Sequence, residues 1–275
     1  MKLCAQGFVV GLVLYSSYLS AEQTYILARA PQFSSVTMSR LWTPFVKYLS
    51  HTTGYKFRLK LYHDRTDFEA DLKQGRPDLF YANPGYFAVM HRKYAYVPLV
   101  RSNARQLKGI IVARKNSGID SIQQLNGKTI SFPGKNAFAA SLYIRSILKN
   151  KLKINIKTKY IAGHDNVYRS VVSGRSLAGG GVYRTLNVEQ VNLKSQLKVV
   201  YETPGLAPHP LAAHPRLTKK IQEAVIKSVL KLSTEKEGRA MLSAIKLIKP
   251  IRADFQRDYQ MLDSMAVEMY QHIFD

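Results

Sequence analysis

The apolar positions of the chain change period repeatedly, from every second residue to every third and fourth. Residues 25–28 (Tyr-Ile-Leu-Ala) form a short apolar run that predicts a strand. Over 38–53, Leu41, Trp42, Phe45, Val46 and Leu49 fall three and four apart, the spacing of one buried helix face. Gly54 supplies the usual stop. Phe57, Leu59 and Leu61 then alternate with other residues, as one face of a strand requires. A short helix over 64–73, a strand over 78–81, a helix opened by Pro84 and a strand over 97–100 complete a first series.

The pattern then repeats. Strands are expected over 109–113, 128–132, 154–161, 177–182 and 197–202, with helical stretches over 121–125, 137–149 and 166–173. Alternating strands and helices predict parallel sheets covered on both faces. Two such series predict an α/β protein of two lobes. Pro204, Pro208, Pro210 and Pro215 break the chain, and residues 218–274 beyond them read as almost wholly helical. Leu217, Ile221, Val225 and Val229 make one apolar stripe, and Leu262, Met265, Met269 and Ile273 make another; both are read as core.

Composition narrows the class. A chain of 275 residues suits one large domain or two modest lobes, and 46% hydrophobic with 21% charged residues excludes wholesale disorder. Cys4 is the single cysteine, so neither an internal disulfide nor a cysteine-rich zinc site is available. Lys2, an apolar run over 3–14 and small residues at Ser20 and Ala21 predict a secretory signal over 1–21, cleaved near Ala21, and hence a periplasmic protein. That run is shorter than the roughly 20 residues of a membrane span. The other reading is an N-terminal buried helix or an uncleaved anchor.

Charge points to the partner. Lys plus Arg number 41 against 18 Asp plus Glu, a formal +23. Between residues 80 and 184 there are 18 basic residues and two acidic ones, Asp120 and Asp165. Such an excess favours nucleic acid, anionic headgroups or an acidic small molecule. No helix-turn-helix, zinc module or aromatic-interleaved basic motif is present, so nucleic acid is not expected. The charge is either a solvated surface or a means of steering anions. No Gly-x-Ser-x-Gly elbow and no phosphate loop occur, so neither an enzyme nor a cofactor is expected. Gly179-Gly180-Gly181 reads as small residues that permit close packing. His164, His209 and His214 lack the spacing of a helical metal pair, and no metal is expected.

Four motifs stand in order: Asp78-Leu79-Phe80-Tyr81-Ala82-Asn83-Pro84-Gly85-Tyr86; Asn116-Ser117-Gly118-Ile119 with Leu125-Asn126-Gly127-Lys128; Gly163-His164-Asp165-Asn166-Val167; and Ala178-Gly179-Gly180-Gly181-Val182. Over residues 24–275 this order resembles the periplasmic phosphate/phosphite/phosphonate-binding proteins of ABC transporters. The resemblance implies a type II periplasmic binding fold, two lobes joined by crossings near 107–109 and 203–205. Lobe 1 would hold 22–107 plus 206–275, and lobe 2 residues 108–205. It implies capture of a small anion by hinge closure, delivery to a transporter permease and a monomeric state. The alternative is an input module for a membrane receptor or kinase, with a ligand other than phosphonate.

Ligands of open α/β sheets gather at the carboxyl ends of strands. The candidate loops are therefore 31–37, 82–86, 133–138, 162–165 and 179–184. Asn83 and Tyr86 offer an amide and a hydroxyl, or else a helix cap and a core ring. Asn136, Ala137 and Phe138 open a helix whose free N–H groups suit an anion, with Asn136 read either as a donor or as a cap. The resembled family has a Ser-Thr-Ser type run there, and Phe138 is bulky enough to line or partly fill the cleft. His164 is a ligand contact or a structural histidine, with Asp165 the expected cap beside it. Arg184 is a bidentate oxyanion donor or a surface residue. Where the family has an acidic residue before the glycine strand this chain has Leu177, which argues against recognition of an amino group.

Overall fold

A computed structural model of the chain describes residues 23–32, 34–263, 265 and 274. The expected signal segment lies outside the described residues, as do Met269 and Ile273. Strand β1 (Thr24–Arg29) leads into helix α1 (Ser35–Thr53). Ser34 caps α1 by accepting from the Thr37 amide, and Gly54 ends it in the left-handed region at φ 73°. Trp42, Phe45, Val46 and Leu49 are buried as their spacing requires, joined by Met38, while Leu41 is only half-buried. Then follow β2 (Lys56–Lys60), α2 (Arg65–Lys73), β3 (Leu79–Tyr81), α3 (Pro84–Tyr94) and β4 (Val97–Ser102).

The chain next builds β5 (Ile110–Arg114), β6 (Thr129–Phe132), a helix over 138–151, β7 (Lys157–Tyr160), α5 (His164–Val172), β8 (Ala178–Gly181) and β9 (Leu197–Glu202). In the helix after β6 only α4 (Tyr143–Ser146) has α geometry; Phe138–Leu142 and Ile147–Lys151 are π-helical turns on either side. The chain returns to form β10 (Pro210–Ala213), helices Lys219–Leu232 and Lys236–Ala244, and β11 (Pro250–Arg252).

Two sheets result, one of six strands in the order β11-β4-β10-β3-β1-β2 and one of five in the order β7-β6-β8-β5-β9. The expectation of parallel sheets needs correction, because both are mixed. β10 runs antiparallel to β3 and β4, and β5 runs antiparallel to β8 and β9. Each of these is the strand that enters its sheet from a crossing, so it starts where the neighbouring strands end. The nearly all-helical C-terminal third is likewise corrected by β11, which pairs antiparallel with β4.

This arrangement fixes which ends of the sheets face each other. In the first sheet the carboxyl ends of β1, β3 and β4 lie beside the start of β10. In the second, the carboxyl ends of β6, β8 and β9 lie beside the start of β5. The two crossings are bound to one another: Leu107 and Leu206 exchange backbone hydrogen bonds of 2.8 and 3.0 Å, and the Thr203 amide donates to the Gly109 carbonyl at 2.9 Å. Loops at the strand ends of both sheets therefore meet at one gap.

Each face of the first sheet carries an apolar layer. Trp42, Phe45 and Leu49 of α1 meet Ile221, Val225 and Val229 on one side. On the other, Phe68, Phe80, Phe87 and Tyr259 form a layer that continues through Tyr86 to Phe138, Ala139, Leu142 and Tyr143. Burying such side chains stabilises by about 1.5–3 kcal/mol each, so this second layer also ties the two halves together. The Tyr143 hydroxyl donates to the Pro204 carbonyl at 3.2 Å.

Candidate functional site

Six loop regions, three from each sheet, converge on the gap. From the first sheet come Arg29 with Ala30 to Gln32, Ala82 to Tyr86, and His209 ahead of β10. From the second come Pro133 to Phe138, Gly163-His164, and Val182 to Arg184.

Arg29 is the last residue of β1 and is only 4% exposed. Its guanidinium lies 5.4 Å from the Trp42 ring and 5.2 Å from the Tyr81 ring. One terminal nitrogen donates to the Ala30 and Tyr81 carbonyls at 2.8 and 3.2 Å, and the other to Gln32 Oε1 at 2.6 Å. Its Nε is buried with no acceptor. Burial pushes the group down to about 10, so it stays charged at neutral pH. Every acceptor it has is neutral; among the described residues no carboxylate pairs with it.

His209 stacks on Tyr81 with ring centroids 5.7 Å apart. Burial, Arg29 and Arg184 all oppose its protonation and push it down to about 3. His209 thus lies within the electrostatic reach of an arginine from each half. His164 opens α5 behind Gly163; its Nδ1 faces the Thr185 hydroxyl at 3.3 Å, which leaves Nε2 for another partner. Burial and Arg184 lower its pKa, against the opposing pull of Asp165. Asp165 does not cap α5 as expected; it pairs with Arg169 one turn on, at 3.1 Å.

The loop before the 138–151 helix also departs from one of its readings. The residue at the cap position is Ala137, which has no capping side chain, and Asn136 Oδ1 is buried without a partner. Asn136 is therefore not a cap. Phe138 is buried and closes down on the opposite half: a Cβ on Gly85 would stand 2.7 Å from its ring. Gly85 is glycine because Phe138 occupies the space a side chain would need.

Asn83 caps α3 by accepting from the Tyr86 amide at 3.1 Å. Tyr86 is 1% exposed, its ring set edge-on to Phe68 at 5.4 Å. Its hydroxyl donates to Glu69 and accepts from Arg65 at 3.3 Å. The geometry therefore realises the core reading of Tyr86 and occupies its hydroxyl. Leu177 requires a correction as well. It precedes β8 at the amino end, packed against the apolar cluster of Ile111 and Ile130. The gap lies at the other end of that strand, roughly 13 Å away at about 3.3 Å per residue, so Leu177 does not bear on ligand recognition.

The acidic groups nearest the gap already have partners. Glu69 holds Tyr86, and Glu202 accepts from Lys108 at 2.5 Å. Among the described residues no group of three His, Cys, Asp or Glu side chains could hold a metal ion. A separate cavity of about 390 Å³ lies beside the crossings, lined by Arg101, Arg105, Gln106, Gly205, Arg257 and Asp258 among others. There Asp258 is engaged by both Arg101 and Arg257, at 2.8 and 2.7 Å.

Arg29 and Trp42 were missed as site residues in the sequence. The available signal was an arginine that ends an apolar strand, a position where a βα loop brings ligand-binding groups.

Two α/β halves, joined by a double crossing and facing each other through their strand-end loops, define a type II solute-binding protein. The chain belongs to the family of periplasmic phosphonate substrate-binding proteins of ABC transporters, whose model matches residues 27–259. Among solved structures it is similar to XAC2383 from Xanthomonas citri bound to chloride ion, with 15% identity and a TM-score of 0.76 over 90% of this chain and 99% of that one. It is also similar to PhnD1 from Prochlorococcus marinus in complex with methylphosphonate, with 15% identity and a TM-score of 0.69 over 90% and 98%. A third is the binding protein component of an ABC phosphonate transporter from Pseudomonas aeruginosa, with 14% identity and a TM-score of 0.64 over 92% and 98%. No curated protein matches the chain.

Proposed function

We propose that the protein captures a small oxyanion, of the phosphonate or phosphate type, between lobe 1 (22–107 plus 206–275) and lobe 2 (108–205), and presents it to a transporter permease. The lobes would swing about the paired crossings, and residues 1–21 would direct export. The observation that carries this reading is the electrostatics of the gap. It gathers Arg29, Arg184, two histidines and a helix start, while each nearby carboxylate is engaged elsewhere.

The chemistry follows from the parts. The first N–H groups of the 138–151 helix have no acceptor within the helix and carry the positive end of its dipole. Phe138 and Ala139 thus offer backbone donors to an anion, whatever their side chains are. Asn136 adds a side-chain amide that capping does not consume. His164 can donate from Nε2 while Thr185 holds its other nitrogen. Arg184, exposed in the turn that follows β8, supplies a guanidinium fork. Structures with this fold have been solved with methylphosphonate, chloride and ATP bound, all of them anions.

Thermal unfolding with methylphosphonate, phosphate, phosphite and sulfate, each against a neutral sugar, tests the reading. Ligand at a hundredfold excess over Kd adds about 2.7 kcal/mol of stability, and the expected result is a raised Tm with at least one phosphorus oxyanion. A protein stabilised by neutral solutes and by no oxyanion does not have this function.

A further inference from the structure

We propose that Arg29, flanked by His209, is a second anion-binding point on the lobe 1 side of the gap, so that the ligand carries two negative groups: a phosphonate or phosphate at the start of the 138–151 helix and a carboxylate at Arg29. This inference rests on the function proposed above and specifies its ligand.

The argument starts from the cost of the arrangement. A guanidinium removed from water loses several kcal/mol of hydration unless it is matched by opposite charge and satisfied hydrogen bonds. Arg29 is 4% exposed. Its five N–H donors make three hydrogen bonds, to the carbonyls of Ala30 and Tyr81 and to Gln32 Oε1. Nε is buried and unpaired, and among the described residues the terminal nitrogen that meets Gln32 has no second acceptor. The ring faces of Trp42 and Tyr81 attract the cation but neutralise none of its charge.

Position supplies the second line. Arg29 ends β1 directly beside Tyr81, which ends β3, and Leu211 of β10 pairs with Tyr81 in turn. His209 precedes β10 at this same end of the sheet and stacks on Tyr81. That end faces the second sheet. The charged and titratable groups that bear on His209 are Arg29 and Arg184, one from each half, and no carboxylate acts on it. A neutral imidazole there can accept or donate a hydrogen bond without adding charge. The missing counterion of Arg29 is thus a group that arrives from the gap. A planar carboxylate fits, because it takes two parallel hydrogen bonds from the guanidinium fork.

An ammonium group fits badly. It would meet Arg29 and Arg184 with no free carboxylate nearby, since Glu69 and Glu202 are engaged by Tyr86 and Lys108. The site therefore discriminates among phosphonates by the charge at their far end.

Isothermal titration of the full-length mature protein with methylphosphonate, propylphosphonate, 3-phosphonopropionate and 2-aminoethylphosphonate tests this. Trp42, the single tryptophan, stacks against Arg29, so its fluorescence gives a second readout. The expected order places 3-phosphonopropionate about tenfold or more tighter than propylphosphonate, the worth of one charge-assisted hydrogen-bonded pair, and 2-aminoethylphosphonate weakest. Arg29→Gln should bring the ratio of the first two to within about threefold. If methylphosphonate binds but 2-aminoethylphosphonate equals or exceeds 3-phosphonopropionate, the second anion point is wrong while the function stands. A carboxylate preference that survives Arg29→Gln equally removes Arg29. If no phosphonate or other oxyanion binds, the function itself is at fault. The wild-type series decides the question even where Arg29→Gln does not fold.

Discussion

At His209 three effects act in one direction. Burial, Arg29 and Arg184 all disfavour the imidazolium, and the pKa falls to about 3, against about 6.5 for a free histidine. Between those values an unfolded chain binds a proton that the folded chain refuses, so stability falls as the pH drops below about 6.5. At pH 5 the deficit from this one residue is about 2 kcal/mol. His164 shifts in the same direction through burial and Arg184, and acts in the same window. Asp258 acts elsewhere. Burial would raise it, but hydrogen bonds from Arg257 and Arg101 outweigh that and hold it below the usual carboxylate range. Its contribution is present above about pH 4 and is lost only as the acid region is entered. Urea unfolding at pH 7 and pH 5 should show lower stability at pH 5, and His209→Asn should recover about 1–2 kcal/mol of the difference. An unchanged difference in the variant would mean that His209 protonates normally in the folded protein. None of this was legible from the histidine's neighbours in the chain. In the sequence His209 is weighed only as a metal ligand and set aside, because the two arginines that define it lie at positions 29 and 184.

The elements were largely readable, for reasons that also explain the exceptions. Period three-to-four stripes placed α1 and the helix Lys219–Leu232, since a single buried face leaves a clear signature; Leu217, Ile221, Val225 and Val229 are all within 4% of full burial. Strand β10 was hidden by Pro210, which reads as a breaker but here is the first residue of a strand, where a missing N–H is tolerated. The π-helical turns at Phe138–Leu142 and Ile147–Lys151 have no sequence signature of their own. The seat of this helix is visible at Gly180. A Cβ there would stand 2.3 Å from the Ala140 carbonyl and 2.4 Å from the Phe132 ring. The glycine strand thus lets the 138–151 helix lie directly on the sheet, as its small residues indicated. Gly180→Ala should destabilise by about 3 kcal/mol, the upper end for overpacking against a backbone that cannot yield, and lower Tm by roughly 6–12 °C. Gly134→Ala is the matched control, with nothing within 4 Å of its Cβ, and should leave Tm nearly unchanged. Equal Tm values for the two variants would show that the helix does not bear on Gly180.

At the scale of the whole molecule the question is what the +23 charge does. Eighteen basic residues against two acidic ones lie between positions 80 and 184, the stretch that runs from the end of β3 through β8. That stretch includes Asn136, His164 and Arg184 at the strand-end loops, while Lys128 and Lys157 stand at the opposite, amino ends of β6 and β7. Charges spread over a surface act on a diffusing anion only through solvent, and salt weakens them over a Debye length of about 10 Å at 0.1 M. Contacts that the proposed closure would bury are shielded from that solvent. The two contributions separate in the kinetics. Steering raises the association rate by tenfold or more at low salt, whereas a bound anion leaves at a rate set by buried hydrogen bonds. Stopped-flow fluorescence of Trp42 with methylphosphonate should therefore show the association rate falling about tenfold between 20 mM and 500 mM sodium chloride, with the dissociation rate altered less than about twofold. Association that is indifferent to salt would make the basic surface mere solvation. A dissociation rate that climbs with salt as steeply as association falls would place the ligand in an open, solvent-filled groove and overturn the proposed closure.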